Sequence, residues 1–515
     1  MTAALAAPAL VGGQARDEFD FVIVGAGPAG CVLANRLSAH PQNRVLLIEA
    51  GGPEVNPLIA IPGKWTSLLG TDLDWNYVTE PEAGLNGRAL KWPRGKSYGG
   101  SGAIHAMSYT RGHRACYDAW AAAAGPSWTL DELLPLYRRV EDNSRGASDY
   151  HGAGGALTVA DTTDPHAGHL AFLEAARARG FSANSTFDFD GPRQELGAGF
   201  YQKNIRNGRR HSAAGAFLVP ILDRPNLTVW PHTHATRVTF TGHRATGVEV
   251  IRSGVRAQAR ARREVLLTAG AVDSPKLLML SGVGPADELR RLGIPVVHDL
   301  PGVGRDLQDH LRVSPRWHAI RPLAPSTVSA GLFAYSTLAA ARRPSAPPDL
   351  QFYVGRGLDT PDSFVTLTVA MTQPESRGRL TLRSADPLAP PVIRANYLSA
   401  PRDLDAIVEG VRLAQSLVRS RAYDGIRGPA ADPDDSMRTD AEVREYIRRA
   451  ADTIFHPACT CRMGRDPEAV VDPDLRVRGL SGLRVADASV FPVNLNCQIY
   501  AACVVMGERA ADLVS

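Results

Sequence analysis

The apolar positions near the start of the chain change period twice in quick succession. Phe21, Val22, Ile23 and Val24 are consecutive apolar residues, as expected of a strand buried on both faces. A glycine turn follows, Gly25-Ala26-Gly27-Pro28-Ala29-Gly30. Cys31, Leu33, Ala34 and Leu37 then recur at helical spacing, and a second apolar run from Val45 to Ile48 ends on Glu49. The pattern predicts strand, helix, strand. Residues 264–270 read as a strand entering a turn, with Ser274-Pro275 predicted to start a helix and Ser281-Gly282 to stop it. Residues 313–452 differ in character. Residues 364–370 and 379–383 alternate apolar and polar, and amphipathic helices are predicted near 403–420 and 439–452. Strands grouped with flanking helices imply an α+β unit with an antiparallel sheet. Residues 479–492 read as strand and turn, and 507–513 as a closing helix.

The first glycine turn matches a dinucleotide-binding fingerprint, and each glycine has a mechanical reason. Gly25 permits the tight turn, Gly27 lets backbone approach a pyrophosphate, and Gly30 lets helix pack on strand. The pyrophosphate is expected at the helix N-terminus, where free N–H groups and the dipole favour anions. Glu49 is placed to accept hydrogen bonds from a ribose; a basic residue there would have indicated a 2′-phosphate.

With 515 residues, two or more structural units are expected. A net charge of +4 with scattered arginines gives no support to nucleic-acid binding. The six cysteines show no metal or disulfide spacing, and Cys459-Thr-Cys461 is CxC, so free, mostly buried thiols in a reducing compartment are expected. His232-Thr-His234 would share one strand face, but no further ligand accompanies the pair and no metal site is assigned. Residues 1–16 are Ala-rich without a basic region and read as a flexible leader. No run approaches the roughly 18–20 apolar residues that span a bilayer. The expectation is a cytoplasmic protein without an integral membrane segment.

Between Trp92 and Gly112 five glycines lie among small residues, Gly95, Gly99, Gly100, Gly102 and Gly112, suiting backbone to a planar or phosphorylated ligand. Ser101 is read as an N-cap before an apolar segment. Aromatics are dense from Trp65 to Trp92 and serve either a pocket wall or the core. This stretch, together with Gly270-Ala-Val-Asp-Ser-Pro275, Pro301-Gly-Val-Gly304-Arg-Asp-Leu-Gln-Asp309-His310 and Phe455-His456-Pro457, resembles the glucose–methanol–choline (GMC) oxidoreductases from Asp17 to Leu513. The resemblance implies a Rossmann-like α/β FAD-binding domain (17–160, 197–312 and 456–515) and an α+β substrate-binding domain with an antiparallel sheet (161–196 and 313–455). It implies non-covalent FAD held by Gly25, Gly27, Gly30, Glu49, Ala50, Arg94, Gly100, Ser101, His105, Ala106, Met107, Val238, Ala486 and Asp487. Some relatives attach FAD through a histidine one position before His105, here Ile104. The implied partners are a small-molecule alcohol and oxygen or another electron acceptor.

Alcohol oxidation by a flavin needs a base for the hydroxyl proton and a donor for the developing alkoxide. His456 matches the family's catalytic histidine, and Pro457 holds it in extended backbone. Fourteen residues separate Pro492 from Gly507, and the sixth is Gln498 where relatives carry His or Asn. A Gln amide donates but is no base, so His456 is the base and Gln498 the positioning donor, with Asn494 and Asn496 as alternatives. His211, His232, His234 and His310 are read as structural or surface residues. The aromatics, with Phe352 and Tyr353, favour an aromatic or hydrophobic primary alcohol. A lyase or photodecarboxylase-like chemistry, a non-catalytic FAD-binding partner protein and a sugar or polyol substrate are the competing readings.

Overall fold

The computed structural model describes residues 18–514 apart from 325, 344, 355–363 and 435–436; the leader assigned to residues 1–16 lies outside them. The first apolar run becomes strand Glu18–Val24, buried at every position after the first. It pairs in parallel with Val45–Ile48 on one side and Val255–Leu267 on the other. Leu227–Trp230 and Leu483–Val485 extend the parallel core, while Thr233–Thr241 and Arg244–Arg252 add antiparallel to the first half of Val255–Leu267. Seven strands result. Helix Pro28–Leu37 begins with Pro at its first turn and has no side-chain cap, so its leading N–H groups remain available at the mouth of the strands.

A second, nine-stranded and mostly antiparallel sheet faces the first across the interior. Its central strand, Phe364–Met371, is the alternating segment, paired with Leu350–Val354, Leu311–Val313 and Arg316–Ala319. Helices Pro401–Val418 and Asp440–Ala450 stand where the amphipathic pattern put them, the latter opened by a Thr439–Glu442 capping box. The fold is therefore the α/β plus α+β arrangement read from the sequence. Two local departures stand out. Arg379–Thr381 stands outside the large sheet and, among the described strands, pairs with Val392–Arg394. Gly197–Phe200, which the sequence division groups with the nucleotide-binding unit, hydrogen-bonds to Ala330–Ala334 in the second sheet.

Two helix starts also differ from expectation. The helix expected at Ser274-Pro275 begins at Gly270. Its first N–H groups are capped from within and across: Ala269 N–H donates to Ser274 Oγ at 3.1 Å and Gly270 N–H to Asp487 Oδ2 at 2.8 Å. Pro275 cannot donate to the Ala271 carbonyl, and the Thr460 hydroxyl does so instead at 2.7 Å. Ser101 does not cap a helix. It lies inside a short turn, Gly100–Ala103, and its hydroxyl accepts from Gly95 N–H at 3.1 Å, closing the glycine loop on itself. The closing helix runs Tyr500–Val514, so Gln498 lies just before its first turn. Among the described residues no helix is long and apolar enough to cross a membrane.

Candidate active site

The interior between the sheets holds a cavity of about 750 Å³. One end is walled by the first glycine turn and the ends of the parallel strands, the other by the nine-stranded sheet. Steric limits define the first end. A Cβ at Gly25, whose φ is +104°, would lie 2.7 Å from the Thr268 carbonyl, and one at Gly30 would lie 1.9 Å from the Gly25 carbonyl. A Cβ at Gly27 would meet only the Thr268 oxygen, at 3.6 Å, and would otherwise enter the cavity. Gly25 and Gly27 line the cavity, whereas Gly30 acts behind it by letting the helix seat on the turn.

Glu49 is pinned here. Its Oε2 accepts from Ala26 N–H and its Oε1 from Gly51 N–H, both at 2.8 Å. Burial raises its pKa to about 7, against the pull of those two N–H groups. Ala50, Gly100, Ser101 and Asp487 line the same region. The Asp487 carboxylate is held by Ser274 Oγ, Gly270 N–H and Ser489 N–H, tying the end of strand Leu483–Val485 to the helix start at Gly270. Two expected contacts fall elsewhere. Ala486 is turned into the sheet, its N–H donating to the Leu267 carbonyl at 2.8 Å. Val238 is also off the wall, its N–H taken by Ser281 Oγ at 2.8 Å; Thr233, His234 and Ala235 of that strand line the cavity instead.

His105, Ala106 and Met107 also line the cavity. Met107 is left-handed at φ +64° and its carbonyl accepts from Asn204 N–H at 3.1 Å. The His105 ring lies 4.5 Å from the Tyr500 ring, and among the described residues its buried Nε2 has no hydrogen-bond partner. Burial, then Arg210 and Lys203, hold it neutral, well below the usual histidine range. A glycine turn at an uncapped helix N-terminus, a fixed carboxylate and an orphaned ring nitrogen on the same cavity wall together fit FAD as the residues present stand.

His456 lines the cavity opposite. Its backbone is gripped on both sides: its N–H donates to Asp309 Oδ1 at 2.8 Å and its carbonyl accepts from Asn494 Nδ2 at 2.9 Å. The other Asp309 oxygen accepts from Thr453 Oγ1 and Tyr397 OH, and Tyr397 OH accepts from Trp92 Nε1. The preceding Phe455 is left-handed at φ +68°, its carbonyl accepting from Arg94 at 2.6 Å. Trp92 is thus core behind the histidine, while Trp65, Trp75 and Tyr353 line the cavity and Tyr77 and Phe352 are buried. The His456 ring meets His310, Nδ1 to Nδ1 at 3.0 Å. Burial, then the neighbouring His310, Arg94 and His105, push its pKa well below the usual histidine range.

Gln498 lines the cavity as well, and its Oε1 is occupied by two donors, Thr110 Oγ1 at 2.8 Å and Gln351 Nε2 at 3.1 Å. The alternatives are already committed: Asn494 binds the His456 carbonyl, and Asn496 donates to Gln194 and the Pro348 carbonyl and accepts from His113 N–H. His310 is the residue the sequence undervalued. It is fully buried and in contact with His456, although it stands inside the Gln308-Asp309-His310 motif. All six cysteines are free, five of them buried.

The family model described as GMC oxidoreductase matches residues 19–312 in its N-terminal part and 374–507 in its C-terminal part. Over 537 residues the chain is 41% identical to an alcohol dehydrogenase (acceptor) of Pseudomonas putida, covering 96% of this chain and 95% of that protein. It is 39% identical to the mitochondrial choline dehydrogenase of Homo sapiens, covering 98% and 91%. The crystal structure of pyridoxine 4-oxidase from Mesorbium loti superposes with a TM-score of 0.89 at 35% identity, covering 96% of this chain and 98% of that one. The chain belongs to the GMC oxidoreductases, a family of FAD-dependent alcohol oxidoreductases.

Proposed function

We propose that the protein oxidises a primary alcohol, aromatic or hydrophobic in its body, to the aldehyde, with His456 as the base. The observation that carries this reading is the contact of His456, which lines the same cavity as the glycine turn, with the buried His310 behind it. One Nδ1 must donate to the other. The Leu495 and Thr372 backbone beside the His310 ring favours its protonation, and the proposed arrangement puts the His310 proton on Nε2. His310 Nδ1 then accepts from His456 Nδ1–H, and the lone pair of His456 sits on Nε2, ready to take the hydroxyl proton. A ring kept neutral by burial remains a base at acid pH.

Gln498 complements it. With Oε1 held by Thr110 and Gln351, the amide presents Nε2 as the unspent donor for the substrate oxygen. FAD supplies the hydride acceptor, N5, when bound. Gly25, Gly27, Glu49, Ala50, Gly100, Ser101, His105, Ala106 and Met107 hold it non-covalently, Ile104 standing where some relatives carry the attaching histidine. Arg94 adds a buried positive charge beside the loop of His456. Tyr353 and Phe455 offer apolar surface to the substrate body. Electrons pass on to oxygen or another acceptor, and the free thiols suit a reducing compartment such as the cytoplasm.

Anaerobic titration of the yellow protein with benzyl, aliphatic, sugar and quaternary-ammonium alcohols tests the reading. Bleaching of the visible flavin band by benzyl or aliphatic alcohols, with aldehyde formed in equal amount, is the expected result. A flavin that no alcohol bleaches would leave the non-oxidative chemistries of the fold.

A further inference from the structure

The charged side chains at the sheet end of the cavity are not alike. Arg312 donates to Asp452 at 3.2 Å and to the Thr453 carbonyl at 3.1 Å. Arg449 pairs with Asp432 at 2.7 Å, and Arg316 stands 3.9 Å from the same carboxylate. Lys203 has no such partner. Its residue is 6% exposed, yet among the described residues its ammonium has neither a hydrogen bond nor an ion pair. The acid that acts on it most strongly, Asp164, lies beyond ion-pair distance and is engaged by Thr327 through its N–H at 3.0 Å and its hydroxyl at 2.6 Å.

The backbone fixes where this lysine points. Lys203 exchanges both hydrogen bonds with Ala160, at 2.9 and 2.8 Å. Tyr201, two residues earlier and therefore on the same side of extended chain, also lines the cavity. An unpaired ammonium in such a place is costly unless a ligand brings the counter-charge. Burial lowers the Lys203 pKa to about 8, the distant Asp164 opposing and Arg210 assisting.

We propose that Lys203 is an anion-recognition residue of the substrate site and that the alcohol oxidised carries a carboxylate in addition to its carbinol. The inference rests on the alcohol-oxidising reading above and names its substrate class. A quaternary-ammonium alcohol is disfavoured by the same observation. It would meet a bare cation, while the nearby carboxylate, Asp432, is already shared by two arginines.

Equilibrium binding of benzoate to the FAD-loaded protein, followed by perturbation of the flavin spectrum and by calorimetry, tests the subsite without turnover. Binding is expected to weaken roughly tenfold or more in Lys203→Met, the scale of one charge-assisted hydrogen bond, and to persist in Lys203→Arg. In the wild type it is expected to fade as pH rises through about 8, where the ammonium loses its proton. Turnover provides the second arm. Para-hydroxymethylbenzoate is expected to exceed benzyl alcohol in kcat/KM, and Lys203→Met to erase that preference. Benzoate affinity indifferent both to Lys203→Met and to pH would overturn the proposal, even if neutral alcohols are oxidised. Benzoate binding that depends on Lys203 in a protein whose flavin no alcohol bleaches would keep the anion site and remove the alcohol reading.

Discussion

The two ends of the cavity are built on opposite terms. At the end set on the parallel strands, recognition rests on backbone: an uncapped helix start, a turn of glycines and a carboxylate pinned by two N–H groups. Even Asp487, facing inward, spends its oxygens on Ser274, Gly270 and Ser489. At the end roofed by the antiparallel sheet, side chains keep bonding capacity in reserve: one nitrogen of His456, the Gln498 amide and the Lys203 ammonium. The first end is defined by what cannot be added, the second by what has been left unspent. Substitutions should therefore fail differently at the two ends.

The largest effect is expected from Gly30→Ala. The new methyl would sit 1.9 Å from a backbone oxygen of the turn, which cannot swing away, and 2.8 Å from Thr268 Oγ1. Either helix Pro28–Leu37 lifts or the turn opens, and the FAD site is lost with it. Flavin content of the purified protein, read from its visible spectrum, should fall to near zero. A Gly30→Ala variant that retains full flavin would break the claim that this end is set by exclusion.

At the other end, His456→Ala should leave flavin bound and the fold intact while lowering kcat by about 10²–10⁴, the usual worth of a positioned base. Because burial and His310 hold the ring neutral, the acid limb of the wild-type kcat/KM profile should lie well below pH 6.5. A limb at the ordinary histidine value would show that the ring is less secluded than its surroundings indicate.

The contrast also explains what the sequence could and could not reveal. The constraint on Gly30 comes chiefly from the Gly25 carbonyl in the same turn, so its spacing carries it, whereas a Cβ at Gly25 would meet Thr268 and Ala269, which only the fold brings near. Val238 was placed by resemblance alone, while Thr233, His234 and Ala235 of the same strand line the cavity, and three consecutive residues on one wall leave no periodicity to read. His310 was visible as part of a motif, but its role depends on a residue 146 positions away. Lys203 follows a strand that the sequence division assigned to the other unit, so its place opposite the nucleotide turn emerges only once Gly197–Phe200 is seen to join the second sheet. Local geometry is written in local sequence; unspent side chains are recognised only from all their neighbours.

Seclusion of the His456–His310 end has a cost in acid stability. His310 is fully buried, and burial lowers its pKa to about 3. When unfolded, the same ring takes a proton near 6.5. Below that value the unfolded chain binds more protons than the native one, so stability is complete above about pH 6.5 and declines as pH falls toward 3. The slope from this residue alone approaches about 1.4 kcal/mol per pH unit. Denaturant midpoints measured from pH 7 down to 4 should show it, and His310→Gln should flatten part of it. A pH-independent midpoint would place the ring in contact with water.

The smallest effect concerns a single amide. Gln351 is fully buried and donates to Gln498 Oε1 at 3.1 Å beside the Thr110 hydroxyl. If this pair of donors is what turns the Gln498 Nε2 toward substrate, Gln351→Leu should weaken the orientation by about one hydrogen bond, roughly 1 kcal/mol, or about fivefold in kcat/KM. Flavin content should not change, since Gln351 takes no part in the glycine turn. Gln498→Leu should cost about 10²-fold, the scale of a lost transition-state donor, and adding Gln351→Leu to it should cost little more, because the two residues act through one contact. Losses that simply multiply in the double variant would mean that Gln351 acts on the cavity by some route other than Gln498.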